Sequence, residues 1–298
     1  MSKQRSIGIV YNPRIQGTQE LVAQMVQRLK LATGALVCSV EDLEQIKDRH
    51  PGVDLLVTVG GDGTILRAVQ VAAVHGVAIL GINMGRLGFM TELSAHEALE
   101  GLAQYLDDNL WVEERAMLQA SVISPSQGRG GSQRHKVSPK TYHALNEAVV
   151  GSGSVARMAS IKVTIDGAPL TVYRADAVIV ATATGSTGYA LSAGGPIMYP
   201  QSRDMLLKPV AAHLGMGTAL VLPGSSRIEL MALSDSPAML SVDGFIDVKL
   251  GEGAHVLVEA SPYVARFLRT QPPSHYYAVL AQRLGMEPVD PQSRLMLG

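Results

Sequence analysis

The chain has one cysteine in 298 residues, few aromatic residues and no excess of either charge. With Cys38 alone, no intrachain disulfide and no cysteine-based metal cluster can form, which is compatible with a reducing compartment. It lies in the run Ala35-Leu36-Val37-Cys38-Ser39-Val40, where it reads as a small buried hydrophobe. The 25 basic and 26 acidic residues leave a formal net charge of -1, so no global field draws the chain to nucleic acid or to an anionic membrane. Aromatics make up 4% against a hydrophobic content of 47%, which fits an aliphatic α/β interior better than an aromatic recognition surface. The longest apolar run, around Ala68 to Ile82, is broken by Gln70, His75 and Gly76 and falls short of the roughly 18 to 20 residues that span a bilayer. The apolar stretch behind the basic N-terminus stops at Asn12-Pro13, too short for a signal-peptide core, so the expected location is the cytoplasm. No two of the eight histidines stand at i, i+4 spacing, so no dedicated metal site is expected.

A chain of this length is expected to form two domains. Over residues 1–110, short β-type runs (Ile7 to Val10, Ala35 to Val40, Leu55 to Val59, Val77 to Ile82) alternate with helical ones (Glu20 to Leu31, Ile65 to Val74), the pattern of a doubly wound parallel sheet. Ser94-Ala95-His96-Glu97 is a capping box opening a helix that runs to about Leu106. After Trp111 the texture changes to alternating segments bounded by turn residues. Ser160 to Ile165 followed by Asp166-Gly167 is a hairpin signal, and Arg227 to Leu230 and Ala238 to Val242 repeat the style. Residues 111–264 therefore read as a β-sandwich. Ser124 to Lys140, rich in Gly, Ser and basic residues, reads as a solvated insert, with a basic flap over phosphates as the alternative.

Gly60-Gly61-Asp62-Gly63-Thr64 stands directly behind the apolar run Leu55 to Val59. Glycines remove the side chains that keep a polyphosphate from backbone N–H groups, and a helix N-terminus adds partial positive charge at the same point. An acid in such a cradle is repelled by the substrate's charge, so Asp62 points to proton acceptance or metal holding rather than binding alone. The plainer alternative is a Gly-rich turn with Asp62 as N-cap. In the second half, Leu145-Asn146-Glu147 sets an amide and an acid at a strand start. Asp176 to Ala181 leads into a hydroxyl-rich, glycine-bracketed loop from Thr182 to Pro196, whose Tyr189 is suited to stacking on a nucleobase. Ser241-Val242-Asp243-Gly244 reads most simply as a hairpin turn. His213 is the one histidine worth testing, with a structural role favoured.

Together with the segment Asn83 to Phe89, these motifs in this order resemble the bacterial NAD kinases of the GGDGT superfamily. The resemblance implies an α/β Rossmann-like N-terminal domain, rejoined by segment 265–298 with its terminal helix near His275 to Leu284, an all-β sandwich that binds the dinucleotide, and phosphorylation of the adenosine ribose 2′-hydroxyl of NAD to give NADP. By motif, Asp62 would be the base, Gly60, Gly61, Gly63 and Thr64 would line the phosphate path, and Phe89 would wall the adenine pocket. Asn146 and Glu147 would bind the adenosine end, with Thr184, Thr187, Gly188, Tyr189 and Ser192 completing the pocket and Ala211 joining it. Asp176 would face the nicotinamide end from a neighbouring subunit, with Arg174 favouring NAD over NADH. The implied donor is ATP or polyphosphate, with Mg²⁺ or another divalent cation carried mainly by the donor, and the implied assembly is a homodimer or homotetramer. Two departures stand out: Ala183 and Gly188 replace a proline and an alanine common in the loop, which predicts a looser loop. Phe245 follows Asp243-Gly244 where a polar residue is frequent, leaving the role of that turn open. The alternatives are a lipid kinase of the same superfamily, acting on diacylglycerol or sphingoid bases, a phosphofructokinase relative, and a non-catalytic dinucleotide sensor.

Overall fold

The computed structural model describes residues 5–31, 35–43, 45, 51–85, 88–106, 110–124, 139–154, 157–213, 217–233, 238–251 and 253–286. The chain divides into two compact units, one formed by Met1–Glu113 with Arg266–Gly298 and the other by Glu114–Ala265. Of the basic insert, only Ser124, Pro139 and Lys140 fall within the described residues, and Arg86 and Leu87 of the Asn83 to Phe89 segment lie outside them.

The first unit runs β1 (Ile7–Tyr11), α1 (Thr18–Leu29), β2 (Val37–Ser39), α2 (Val40–Leu43), β3 (Leu55–Gly60), α3 (Asp62–Ala72), β4 (Ala78–Asn83), β5 (Leu93–Ser94) and α4 (Ala95–Gly101). Its strands are parallel in the order β2-β1-β3-β4, with β5 beside the end of β4. Ile9, Leu55, Val57, Val59 and Leu80 are buried against Leu21, Val22 and Met25 of α1, which is why these strands read as unbroken apolar runs. The turn behind β3 is shorter than the sequence implies. α3 begins at Asp62, so Gly63 and Thr64 occupy its first turn, with Gly61 as N-cap. The Ser94 capping box forms, both Ser94 and Glu97 bonding reciprocally, but α4 ends at Gly101 and continues as 3₁₀ turns over Leu102–Leu106.

The second unit contains most of β6 (Trp111–Ile123), then β7 (Lys140–Ala144), β8 (Glu147–Ser152), β9 (Ala159–Ile165), β10 (Ala168–Ala175), β11 (Ala177–Ala181), the short helix α5 (Tyr189–Ser192), β12 (Met205–Val210), β13 (Leu220–Leu222), β14 (Ile228–Ala232), β15 (Ala238–Val242), β16 (Ile246–Leu250) and most of β17 (His255–Arg269). One layer holds β10-β9-β14-β17 with β6 and β7; the other is β13-β12-β11-β8-β15-β16. Val150, Val178, Val180, Leu207 and Leu240 from the second layer pack against Ile161, Val163, Ile228, Leu230, Val256 and Val258 from the first, a sandwich core of aliphatic side chains. β11 is buried on both faces, because Ile179 and Ala181 are covered by Ala183, Ala190 and Met198 of the loop that follows. The Asp166-Gly167 hairpin has positive φ at both central residues (53° and 81°), the type I′ geometry that twists with its strands.

The last two residues of β17's pairing stretch, Arg266 and Phe267, lie parallel to Ala78 and Ile79 in the first unit. The chain then closes with α6 (His275–Arg283), which belongs to that unit and has no buried residue. Tyr105, bonded to Glu92 and Thr270, and Trp111, bonded to the Gln271 carbonyl, tie the returning segment down.

Candidate active site

With strand order 2-1-3-4, the first unit's sheet has its switch point between β1 and β3, and ligands in open α/β sheets bind outside the carboxyl ends of the strands at that point. Asp62 stands there, at the end of β3 and the start of α3. Its side chain does not cap its own helix. Instead it accepts hydrogen bonds from the amides of Phe89 (3.0 Å) and Met90 (3.2 Å), so both carboxylate oxygens are oriented by backbone while about a quarter of the side chain stays exposed. Gly88 is required at this contact: a Cβ there would stand 2.1 Å from an Asp62 oxygen.

The segment that holds Asp62 is itself anchored. Arg269, at the end of β17, donates to the carbonyls of Met90 (3.1 Å) and Thr91 (3.4 Å) and forms ion pairs with Glu92 (3.0 Å) and Glu113 (2.8 Å), all three side chains being buried. The Gly88 amide donates to Thr91 Oγ1. Facing the other way, Arg283 of α6 brings a guanidinium nitrogen to 4.0 Å from Asp62 Oδ2 and lays its guanidinium 5.1 Å from the Phe89 ring centroid. Asp62 and Phe89 thus meet in one cluster, together with two arginines that no local motif marks. Gly61 and Gly63 have no atom within 4 Å of where a Cβ would be, so their backbone is open to an incoming group, whereas Thr64 is buried with its hydroxyl 3.4 Å from the Gly61 amide. Gly60 is packed against Thr64, leaving no room for a side chain.

The second unit assembles a different cluster. Asp243, at the β15–β16 hairpin, turns its buried carboxylate onto the amides of Leu145 (2.9 Å), Asn146 (2.7 Å) and Glu147 (3.1 Å). The hairpin turn is therefore also the clamp of the Asn146-Glu147 turn, a role invisible at the sequence level, where Asp243 read as a turn residue. On the other side Thr182 donates to the Leu145 carbonyl (2.6 Å) and accepts from the Gly185 amide (3.0 Å), and the Thr182 amide donates to Asn146 O. Gly185 lies so close that a Cβ would stand 2.1 Å from Asn146 O. Asn146, Glu147, Thr184, Thr187 and Gly188 are brought together by these contacts, while Tyr189 and Ser192 follow on α5, Tyr189 being exposed.

Two polar atoms in this cluster are buried with no hydrogen-bond partner, Glu147 Oε2 and Thr184 Oγ1. Burial, reinforced by the Asp243 carboxylate, pushes Glu147 up to about 8. Burial also pushes Asp243 up, to about 6, against the opposing pull of its three amide donors. Within the loop that Ala183 and Gly188 predict to be looser, Ser186 donates to the Ala183 carbonyl (2.6 Å) and accepts from the Met198 amide (2.9 Å), two side-chain bonds that restrain it where a proline is absent. A Cβ at Gly188 would meet Glu147 Oε2 and Gly185 O at 3.3 Å, close but not prohibitive.

Arg174, Asp176 and Ala211 form a third group at the opposite end of β11. Asp176 immediately precedes that strand and donates its amide to Val210 O, Ala211 follows β12, and the Arg174 carbonyl accepts from the His213 amide. Glu147 pairs with Ala181 and Gly151 with Ala177, so about 13 Å of strand separates this group from the Glu147 cluster. Arg174 and Asp176 are exposed. Cys38 is half-buried, and burial pushes its thiol up to about 11, which keeps it protonated and unreactive. Among the described residues no group of three or more His, Cys, Asp or Glu is placed to hold a metal ion, and no helix is long and apolar enough to cross a membrane.

Residues 40–110 match the ATP-NAD kinase N-terminal domain and residues 145–270 the ATP-NAD kinase C-terminal domain. An NAD kinase of Dehalococcoides mccartyi (strain CBDB1) is 35% identical over 281 residues, covering 94% of this chain and 96% of that protein. One of Chloroflexus aurantiacus is 37% identical over 282 residues, covering 93% and 98%. Among solved structures, yeast NADH kinase complexed with NADH superimposes with a TM-score of 0.80 over 97% of this chain and 90% of its own, a likeness of fold at 24% identity. An NAD kinase from Archaeoglobus fulgidus in complex with ATP does so with a TM-score of 0.70 at 26% identity, covering 94% and 99%.

Proposed function

The chain belongs to the NAD kinase family, and from that membership we propose that it is a kinase that phosphorylates the adenosine ribose 2′-hydroxyl of NAD at the expense of ATP, giving NADP. The observation that carries this reading is Asp62: a carboxylate oriented by two backbone amides, still partly exposed, at the N-terminus of α3 between two open glycines. A ribose hydroxyl is a poor acid. Asp62 accepts its hydrogen bond and takes its proton as the oxygen–phosphorus bond forms and the bond from the γ-phosphorus to the β-phosphate oxygen breaks, releasing ADP. The first-turn amides of α3 stabilise charge on the transferred group.

Gly60, Gly61, Gly63 and Thr64 supply the phosphate path and Phe89 a wall for the adenine. Mg²⁺ or another divalent cation would be carried mainly by the donor's phosphates, a mode that suits an ion preferring phosphate and water oxygens, and would supply charge neutralisation there. Polyphosphate remains a second donor by the same backbone contacts.

In the second unit, the unpartnered Glu147 Oε2 and Thr184 Oγ1 support a sugar-hydroxyl site, since a buried polar atom without a partner is costly until a ligand meets it. A protonated Glu147 both donates to and accepts from a diol. Asn146, Thr187, Gly188, Tyr189 and Ser192 complete the dinucleotide contacts. Arg174, Asp176 and Ala211, standing at the other end of β11, act on the nicotinamide end of a dinucleotide held by a second copy of the chain, with Arg174 favouring the oxidised form. The edge strand β10 supports such an assembly, a homodimer or homotetramer, because it exposes Leu170 and Val172 (42% each) beside Arg174. The cytoplasm is the proposed location.

The test is NADP formation from NAD, ATP and Mg²⁺ by wild type and Asp62→Asn, followed with an NADP-specific dehydrogenase. Turnover by wild type and a loss of about a thousandfold or more in kcat for the variant is expected. A folded wild type that makes no NADP from either ATP or polyphosphate overturns the reading.

A further inference from the structure

We propose that Arg283, on the C-terminal helix α6, is a donor-binding residue that grips the phosphate chain beside Asp62. The proposal rests on the kinase reading above and adds to it a residue that no motif marks.

Three observations converge on Arg283. Its guanidinium is placed without spending its hydrogen-bonding capacity: its central carbon lies 5.1 Å from the Phe89 ring centroid, within reach of a cation–π contact, which uses no N–H donor. Its approach to Asp62 is 4.0 Å, a charge contact and too long for a hydrogen bond, and among the described residues its side chain donates no hydrogen bond. About a third of the side chain is exposed, so an incoming anion reaches it. The result is a planar cation with free donors, held next to the reacting carboxylate.

Electrostatics gives that cation a task. A triphosphate brings about four negative charges next to Asp62, and one divalent cation offsets only two. Asp62 has its two amide partners already, and those donors are spent on its carboxylate rather than on the donor's phosphates. A guanidinium 4.0 Å away narrows the deficit by one charge, and its fork geometry matches two phosphoryl oxygens at once. The same contact links chemistry to the end of the chain. α6 has no buried residue, and Arg283, through Phe89 and Asp62, ties this helix to the site, a tie that donor binding strengthens.

The experiment uses the full chain, comparing wild type, Arg283→Met and Arg283→Lys. Steady-state NADP formation is measured with ATP varied at saturating NAD and the reverse, and binding of inorganic tripolyphosphate with Mg²⁺ is measured by calorimetry. Arg283→Met is expected to raise KM for ATP and weaken tripolyphosphate binding by about tenfold or more, the worth of one charge-assisted contact, with KM for NAD within about twofold. Arg283→Lys recovers part of the loss through its point charge. Unchanged tripolyphosphate affinity in Arg283→Met overturns the proposal, as does a rise confined to KM for NAD, which assigns Arg283 to the Phe89 wall instead. A wild type that binds tripolyphosphate through Arg283 but forms no NADP sinks the kinase reading and leaves the phosphate contact standing.

Discussion

Replacing Glu147 by glutamine removes one titrating group and changes almost nothing else in shape. In the native chain, burial and then the Asp243 carboxylate raise Glu147 from 4.5 to about 8, while Asp243 is raised by burial from 3.8 to about 6. Near neutral pH, Asp243 is the ionised member, as its three amide donors require, and Glu147 holds its proton by about ten to one at pH 7. Both groups bind protons more tightly folded than unfolded. Stability is therefore fully present below the unfolded values and is lost as pH rises through the folded ones, for Glu147 between about pH 4.5 and 8. One proton contributes at most about 1.4 kcal/mol per pH unit, so the Glu147 share between pH 5.5 and 7.5 is on the order of 2 kcal/mol. The substituted amide does not titrate, which deletes that share and leaves the Asp243 share at lower pH. Urea denaturation of the ligand-free protein from about pH 5 to 8.5 should give curves that meet at the acid end, with Glu147→Gln more stable by on the order of 2 kcal/mol at pH 7.5 and about twice that at pH 8.5. Parallel pH profiles for the two proteins would refute a protonated Glu147.

Two further substitutions probe the supports of the two clusters. Gly185→Ala sets a Cβ 2.1 Å from Asn146 O, so the loop must move off the turn: a stability cost of about 1–3 kcal/mol and a raised KM for NAD, with KM for ATP unchanged, are expected from denaturation and steady-state kinetics. Arg269→Met leaves Glu92 and Glu113 buried without their shared cation and releases the Met90 carbonyl; a loss of about 3–5 kcal/mol is expected in denaturant midpoints, with kcat reduced because Met90 also orients Asp62.

Local signals carried much of the fold into view. An apolar run ending in glycines gives β3 and the presence of a helix behind it, the Ser94/Glu97 spacing gives the head of α4, and Asp166-Gly167 gives a hairpin, because each is decided by neighbours in sequence. What stayed hidden is long-range. Asp243 bonds amides 96 to 98 residues away, and Arg269 meets Glu92 and Met90 across 177 and 179 residues. Nothing about an Asp-Gly turn distinguishes an aspartate facing water from one capping three buried amides. The start of α3, three residues ahead of the Ile65 that the sequence suggests, has a local reason. Gly63 weakens a helix interior, but in the first turn its amide has no intrahelical partner to lose and its missing side chain costs less.

The two clusters are built on opposite principles, and the difference follows from what each must do. Asp62 stays partly exposed because a base must give up its proton again after each turnover, and its orientation comes from amides so that no competing side chain shares its charge. Glu147 is buried because a recognition group gains selectivity from being costly when empty: its unpartnered oxygen penalises the vacant or wrongly filled site, and a ligand hydroxyl removes the penalty. A buried acid tolerates that position only if something else fixes its backbone, and Asp243 does so from the end of the neighbouring strand. On this account, the turn that holds Glu147 is as much part of recognition as Glu147 itself, although Asp243 has no need to touch the ligand.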